Sequence, residues 1–450
     1  MDLTGRSEQA PLPTHWTAPV PQGPAAPELR AWWRFFQDPT LDTLVEEALA
    51  RNVDIAIAVR RLREARLQAG RTAVQFRPSF GANARTLQDV TATDTFFHAS
   101  IDMVWELGLF GAGDSARGAA DAEADATLAE SQGVRVAVVA DVVRNYLALQ
   151  AAHRQLQLLD RMAQIDDRAI ALADIRHRTA TGAFDEPVQA RAQAAQTRAA
   201  RAAPEEARAR AAQALSVLLG RAAPDPAWVA PAAPTGIALP PFAFATLPAD
   251  LVRTRPDVQA AEADVRKAAA GVGLARSELY PRIALTGSLL YSFNITQNRR
   301  NRSDDIPAIG PVIDIPLFDW GRRRLQVDAK EQALQAALLG QERVLRTAVA
   351  EAEGALAAIA AQQARADALA TTQATWRART ESARARIRLG LESDYEALAA
   401  QRALLQADSE HATAQDARAL AFIALYKALG GAPLPQDDAL PATAQKRETP

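Results

Sequence analysis

Trp105-Glu106-Leu107-Gly108-Leu109-Phe110-Gly111 stands where two sequence periods meet, and its reading decides the fold. Before it, Phe97, Ala99, Ile101, Met103 and Trp105 alternate with His98, Ser100, Asp102 and Val104, the period of two that marks a strand with one apolar face. After it, an Ala-rich helical pattern runs from Asp114 to Arg178, halts at Gly182 and resumes at Asp185. Such a helix measures close to 100 Å at about 1.5 Å per residue. The chain writes this plan twice. Leu317-Phe318 match Leu109-Phe110, Gly321 matches Gly113 and Gly390 matches Gly182, all at an offset of 208.

Outward from this unit, residues 1–39 read as a Pro-rich extended strap. It ends in Trp32-Trp33-Arg34-Phe35-Phe36, and Asp38-Pro39 marks a helix start. The first repeat, 40–220, comprises a helix over 40–76, strands within 80–106, the long helix 114–178 and a helix over 185–219. A proline-rich linker covers 221–248. The second repeat, 249–430, comprises a helix over 249–279, strands within 282–317, a long helix over 322–388 and a helix over 393–429, with a polar tail at 431–450. Leu149, Leu156, Ala163 and Ile170 fall seven apart, and the apolar positions from Leu334 to Ile359 alternate steps of four and three, both coiled-coil seams. The two short helices of a repeat, end to end, match its long one, so a uniform two-helix layer is expected.

Composition removes several classes of function. With 51 Lys and Arg against 53 Asp and Glu, the net charge of −2 points to no nucleic acid. The absence of cysteine excludes disulfides, thiolate metal sites and thiol nucleophiles. The five histidines show no ligand spacing and read as surface or packed imidazoles. No Gly-x-Ser-x-Gly, phosphate loop or carboxylate pair with a base is present; Asp166-Asp167 and Asp304-Asp305 read as solvated surface. The expectation is a non-enzyme without cofactor or metal. Met1 to Arg6 has no apolar core of a signal peptide, and no run of about 20 apolar residues is long enough to span a bilayer as a helix. The chain is either soluble or enters a membrane as strands.

The strands frame that choice. Ile283, Leu285, Leu289, Tyr291 and Phe293 share one face in the second pair, as Phe97 to Trp105 do in the first. If the apolar face meets a protein core, the strands form a small α+β cap. If it meets lipid, every backbone group must pair inside a closed barrel. Four strands cannot close alone, because known barrels begin at about eight. Two copies would supply eight strands and three would supply twelve.

Leu247-Pro248-Ala249-Asp250-Leu251, Arg255-Pro256-Asp257-Val258 and Ala261-Glu262 resemble a hallmark of the TolC-like outer membrane factors, in particular the NodT subgroup of efflux lipoproteins. Trp105 to Gly111, Tyr280-Pro281-Arg282-Ile283-Ala284-Leu285-Thr286 and Leu425-Tyr426-Lys427-Ala428-Leu429-Gly430-Gly431 are similar to the same subgroup, and the resemblance covers roughly 30–432. It implies a mainly α fold with a membrane β-barrel. Long α-helical hairpins would form a trimeric periplasmic tunnel, below a 12-stranded barrel with four strands per protomer. It implies a homotrimer in the outer membrane of a Gram-negative bacterium, in contact with outer membrane lipid. The trimer would dock with a periplasmic adaptor protein and an inner-membrane efflux pump and pass small-molecule export substrates. The subgroup's mature chain begins with a lipid-bearing cysteine. Met1 stands here instead, so a processed or engineered form is expected, with a lipid anchor in the native one.

Gly182 and Gly390 are expected in the left-handed conformation that ends a helix, with Arg178 and Arg386 four residues before them in the last turn. Asp185 caps the returning helix with Pro187 in its first turn, and Ser393 with Glu396 makes a capping box. Helix capping alone accounts for these residues. The family architecture adds a second role. It would gather Asp185, Glu186, Glu392, Asp394 and Glu396 into acidic rings at the periplasmic aperture, with Arg178 and Arg386 as latches. The family's aspartate nine residues after the second glycine is replaced here by Ala399. Phe80, Phe97, Trp105, Tyr291 and Phe293 are candidates for a membrane girdle, and for Trp105 packing is an equal alternative. The function expected is the exit duct of a tripartite efflux pump. The alternatives are a duct for protein or peptide secretion and a soluble coiled-coil scaffold without a pore.

Overall fold

The computed structural model of the chain describes residues 13–88, 94–230, 239–246, 248–297 and 306–434. A 3-10 helix at Leu29–Phe36 leads into α1 (Pro39–Arg51), α2 (Val53–Gln75), β1 (Ser79–Gln88), β2 (Thr95–Glu106) and α3 (Ala112–Arg178). Then come α4 (Glu186–Ala199), α5 (Ala202–Leu218), α6 (Pro226–Val229), α7 (Leu251–Thr254) and α8 (Pro256–Ser277). The chain closes with β3 (Arg282–Asn294), β4 (Ile306–Asp314), α9 (Arg322–Arg388) and α10 (Asp394–Ala428). Among the described residues no helix is long and apolar enough to cross a membrane.

Three helices expected as single rods are broken, each for a local reason. Between α1 and α2, Asn52 leaves the helix with ψ 131°. Its side chain accepts from Ile55 N–H at 3.1 Å and donates to the Leu218 carbonyl at 2.9 Å, the capping role Asn prefers to a helix interior. Between α4 and α5, Pro204 in the first turn of α5 offers no N–H to the Ala200 carbonyl four residues back. Between α7 and α8, Arg255 precedes a proline and is driven to ψ 124°.

The chain divides into two compact units: Met1–Ala58, Ser131–Pro256 and Arg346–Pro450 form one, Val59–Glu130 and Asp257–Leu345 the other. The second unit carries one antiparallel sheet of order β1-β2-β3-β4, open at β1 and β4. Its register puts Phe80 opposite Met103, Phe97 opposite Phe293, Ile101 opposite Leu289 and Ile283 opposite Ile313. Paired residues share a face, so one face is apolar across all four strands. The other face carries a polar cluster in which the Asp102 carboxylate accepts from Asn83 at 2.8 Å, Ser100 at 2.8 Å and Ser288 at 2.7 Å.

In the first unit the strap and the linker meet. Ala243 N–H donates to the Ala25 carbonyl at 2.9 Å and Phe244 N–H to Pro21 at 3.1 Å. Trp32, Phe36, Phe242, Phe422 and Tyr426 pack into one buried aromatic core, with Phe242 and Phe422 rings 4.9 Å apart. The signature residues tie this core together. Buried Arg255 donates to the Ala428 carbonyl at the end of α10 (2.7 Å) and to Glu351 (2.8 Å). Gly430 turns left-handed at φ 75° against the Thr254 backbone, where no Cβ fits. Trp32 Nε1 donates to the Gly431 carbonyl at 2.8 Å. The Arg-Pro and Leu-Gly-Gly motifs are two sides of one packed joint.

The repeat is real, but its offset along the long helices is 210 and not 208. The helices begin at Ala112 and Arg322 and end at Arg178 and Arg388 (322 − 112 and 388 − 178). Phe110 and Gly111 have φ 55° and 82°, and Trp320 and Gly321 have 53° and 81°. Matching Leu109-Phe110 to Leu317-Phe318 by letter is therefore two residues out, because backbone conformation, not side-chain identity, is what repeats.

Candidate functional site

Both hairpin tips are built by the same helix ending. After α3, Ala180 N–H donates to the His177 carbonyl (3.2 Å) and Thr181 N–H to Arg176 (2.9 Å); after α9, Gly390 donates to Ile387 (2.9 Å) and Leu391 to Arg386 (2.9 Å). This bond pattern requires a left-handed residue just past the helix. Ala180 (φ 56°) and Gly390 (φ 70°) supply it. Gly182, expected there, is not left-handed; a Cβ on it would run into the Glu186 carboxylate and approach Arg176 Cβ at 3.0 Å. Its role is close approach.

The same two-residue shift reassigns the arginines. Arg176, not Arg178, corresponds to Arg386. Arg176 grips Glu186 through two bonds of 3.0 and 3.2 Å, whereas among the described residues Arg178 Nε donates only to the Asp174 carbonyl of its own helix at 3.3 Å. Arg386 Nε meets Glu392 at 3.0 Å. Arg379 grips the same carboxylate at 2.7 and 3.1 Å, leaving the Glu392 side chain 5% exposed. Hydrogen bonds from Arg176 and from Arg379 hold the Glu186 and Glu392 carboxyls below the usual carboxylate range. The Arg176 guanidinium also lies 5.2 Å from the centre of the Tyr395 ring, joining the two tips. Burial first, and then the Glu186 charge, pushes the Tyr395 phenol up.

The remaining carboxylates are held differently. Ser393 and Glu396 form the full capping box. Asp185 sits at the N-cap position without capping the backbone, its side chain accepting instead from Gln189. Asp394 is exposed and makes no side-chain hydrogen bond among the described residues, whereas the exposed Asp185 and Glu396 each hold a partner.

One buried cluster deeper in this unit had no sequence signal. Asp166, expected on the surface, is 3% exposed. It accepts from Thr197 Oγ1 at 2.5 Å and from Arg402, which also donates to Thr197 at 3.2 Å, so α3, α4 and α10 are tied together. The partners lie 31 and 236 residues away, beyond any local pattern. Its neighbour Asp167 is exposed. Asp304 and Asp305 lie outside the described residues. His153 is packed, with burial lowering its pKa.

On the sheet, Phe80, Phe97, Trp105, Tyr291 and Phe293 all fall on the apolar face, Phe80 being 72% exposed. Phe97 and Trp105 are eight residues apart on β2, about 27 Å of strand. Trp105 Nε1 donates to the Phe76 carbonyl at 2.9 Å, fixing the ring at the junction of strand and helix.

Residues 44–221 and 247–431 match the family described as outer membrane efflux protein. The chain is 29% identical to the cation efflux system protein CusC of Escherichia coli (strain K12), over 89% of this chain and 88% of that one. It is 28% identical to the solvent efflux pump outer membrane protein SrpC of Pseudomonas putida, over 88% and 86%. The open state of the Neisseria gonorrhoeae MtrE outer membrane channel superposes with a TM-score of 0.82 at 25% identity, covering 95% of this chain and 97% of that one.

Proposed function

The chain belongs to the outer membrane efflux protein family, and we propose that within it this protein is a passive duct for small molecules, controlled at its periplasmic mouth by the two hairpin tips. It is the outer membrane channel of a tripartite efflux pump. It works as a homotrimer, with four strands from each protomer in the barrel and a helical periplasmic tunnel, docked to a periplasmic adaptor and an inner-membrane pump. The apolar face of the sheet meets lipid, with Phe80, Phe97, Trp105, Tyr291 and Phe293 as its aromatic girdle. The Asp102 face lines the water-filled bore.

The observation that carries the gate is the pairing at the tips. Glu186 is held by Arg176, and Glu392 by Arg379 and Arg386, so these carboxylates brace the turns rather than presenting bare charge. Asp394 supplies the charge that incoming solute meets, an arrangement that favours cations. Phe184, Leu389 and Leu391, 85, 72 and 64% exposed, offer the adaptor an apolar contact at the same tips. Relatives named for cations and for solvents share this architecture, which fits a duct that passes whatever its pump delivers and does no chemistry on it.

Planar-bilayer recording of the trimer tests this reading. Asp394→Ala is expected to lower cation selectivity, and Arg379→Ala with Arg386→Ala to raise conductance. Unchanged selectivity and conductance in both would remove the tips from control of the passage.

A further inference from the structure

The sheet ends in two unpaired edges, β1 and β4, and the internal repeat specifies how they meet. We propose that β4 of one protomer pairs with β1 of the next in the register that sets Ile313 opposite the next protomer's Ala84 and Asp314 opposite its Asn83. Beyond the strands, Trp320 lies on the next protomer's Arg77. This rests on the trimeric channel described above and adds the residues that join it.

The two halves of a protomer are quasi-equivalent, and the equivalence holds inside one protomer. β1 repeats as β3 at an offset of 203: Arg77 N–H donates to Val74 at 3.0 Å, and Tyr280 N–H to Ser277 at 3.1 Å. β2 repeats as β4 at the offset of 210, since the turns that follow share their left-handed pair, Phe110-Gly111 and Trp320-Gly321, and the bonds that start the helix. Ala112 N–H donates to Leu109 at 3.1 Å and Arg322 N–H to Asp319 at 3.1 Å. Applied to the pair Ser79–Val104 of β1 and β2, these offsets give Arg282–Asp314, which is the register that β3 and β4 adopt. The repeat therefore holds to the residue.

Applied to the β2–β3 ladder, the same offsets describe the seam. Met103–Gly287 becomes Ile313–Ala84, Val104–Thr286 becomes Asp314–Asn83, and Asp102–Ser288 becomes Val312–Arg85. Side-chain chemistry agrees. Ile313 and Ala84 both belong to the apolar face, so the lipid surface continues across the boundary. The Asp314 carboxylate faces an amide donor in Asn83, with the Arg85 cation one diagonal step away, within reach of a long side chain.

The turn beyond the strand gives a second line. Phe110 stacks on Tyr280 of its own chain, centroids 5.0 Å apart and planes at 12°. Trp320 has the same backbone conformation as Phe110 but is 85% exposed, against 51% for Phe110. The residue equivalent to Tyr280 is Arg77, on the far edge of the sheet. Across the seam a planar guanidinium would cover the indole, a favourable cation–π pair.

The chain has no cysteine, so engineered pairs read without background. Facing residues of antiparallel strands lie about 4.5–5.5 Å apart at Cα, inside the range a disulfide spans, whereas a slip of two residues does not. Ile313→Cys would be combined in turn with Ala84→Cys, Ala82→Cys and Thr86→Cys in the full chain. Each trimer would be oxidised in detergent and run unreduced on a denaturing gel. Covalent trimers with Ala84→Cys are expected. Efficient linkage through Ala82→Cys, the partner that an offset of 208 selects, or through Thr86→Cys, overturns the register. No linkage in any pair, from protein that sediments as a trimer, overturns the edge pairing; protein that is not trimeric before oxidation overturns the premise as well. Arg77→Ala and Trp320→Ala should each make the trimer dissociate in SDS at lower temperature, with Arg77→Lys retaining part of the effect. Unaltered trimer resistance in both alanine variants overturns the stacking.

Discussion

Ala180 and Gly390 occupy the same position, two residues beyond the last residue of a long helix, and both are left-handed, at φ 56° and 70°. Only one of them is the residue that conformation favours. Ala180→Gly should stabilise the first tip by about 1 kcal/mol, and Gly390→Ala should destabilise the second by a similar amount. Thermal unfolding of the two variants checks this, with opposite signs required.

The Asp166–Thr197–Arg402 cluster ties three helices through one buried carboxylate. Arg402→Leu strands the buried Asp166 charge and should destabilise by about 3–5 kcal/mol, and Asp166→Leu by less, because the Arg402 side chain is 28% exposed. The double variant should lose much less than the sum. Urea unfolding of all three completes the cycle, and additive losses would sink the assignment.

At the signature joint, Arg255 supports the Ala428 carbonyl and Glu351 from a buried position. Arg255→Ala leaves that carbonyl without its donor, at a loss of about 1–3 kcal/mol. Arg255→Lys keeps the charge but has no fork to reach both partners, and should fall between. The stability order wild type, lysine, alanine is the expected readout.

What was legible in the sequence, and what was not, follows the range of the forces involved. The strand faces and long helices are written in local periods, and burial acts on those periods directly. The capping box of Ser393 and Glu396 is equally local. The breaks at Pro204 and Arg255 were also readable, from the proline itself, whereas the break at Asn52 depends on the Leu218 carbonyl 166 residues away. Asp166 looked solvated because its partners are remote in sequence. The most instructive difference is the offset. Leu-Phe recurs at 208 by letter, yet Phe110 and Trp320 share the backbone conformation at 210, which the φ angles and the helix ends show and the Leu-Phe letters do not. That shift moves the tip arginine from Arg178 to Arg176.

The tip pairs also set a response to acid. Glu186 and Glu392 are held below their ordinary value of 4.5, mainly by bonds from Arg176 and Arg379, whose own pKa values are raised, so the arginines stay charged throughout. A carboxyl with a depressed folded pKa contributes its full stabilisation above the unfolded value and loses it as pH falls through the folded one. The braces at both tips are therefore complete at neutral pH and fail only below pH 4.5. Single-channel conductance should be flat from about pH 8 down to the ordinary value of 4.5 and rise only below it as the turns loosen. Tyr395 does not interfere, because its phenol is pushed above its ordinary value of 10 and stays neutral across this range. Glu186→Gln with Glu392→Gln should show the acid conductance already at neutral pH, with no further rise on acidification. If the variant still responds to acid as the wild type does, some other group carries the response and the braces are not the gate.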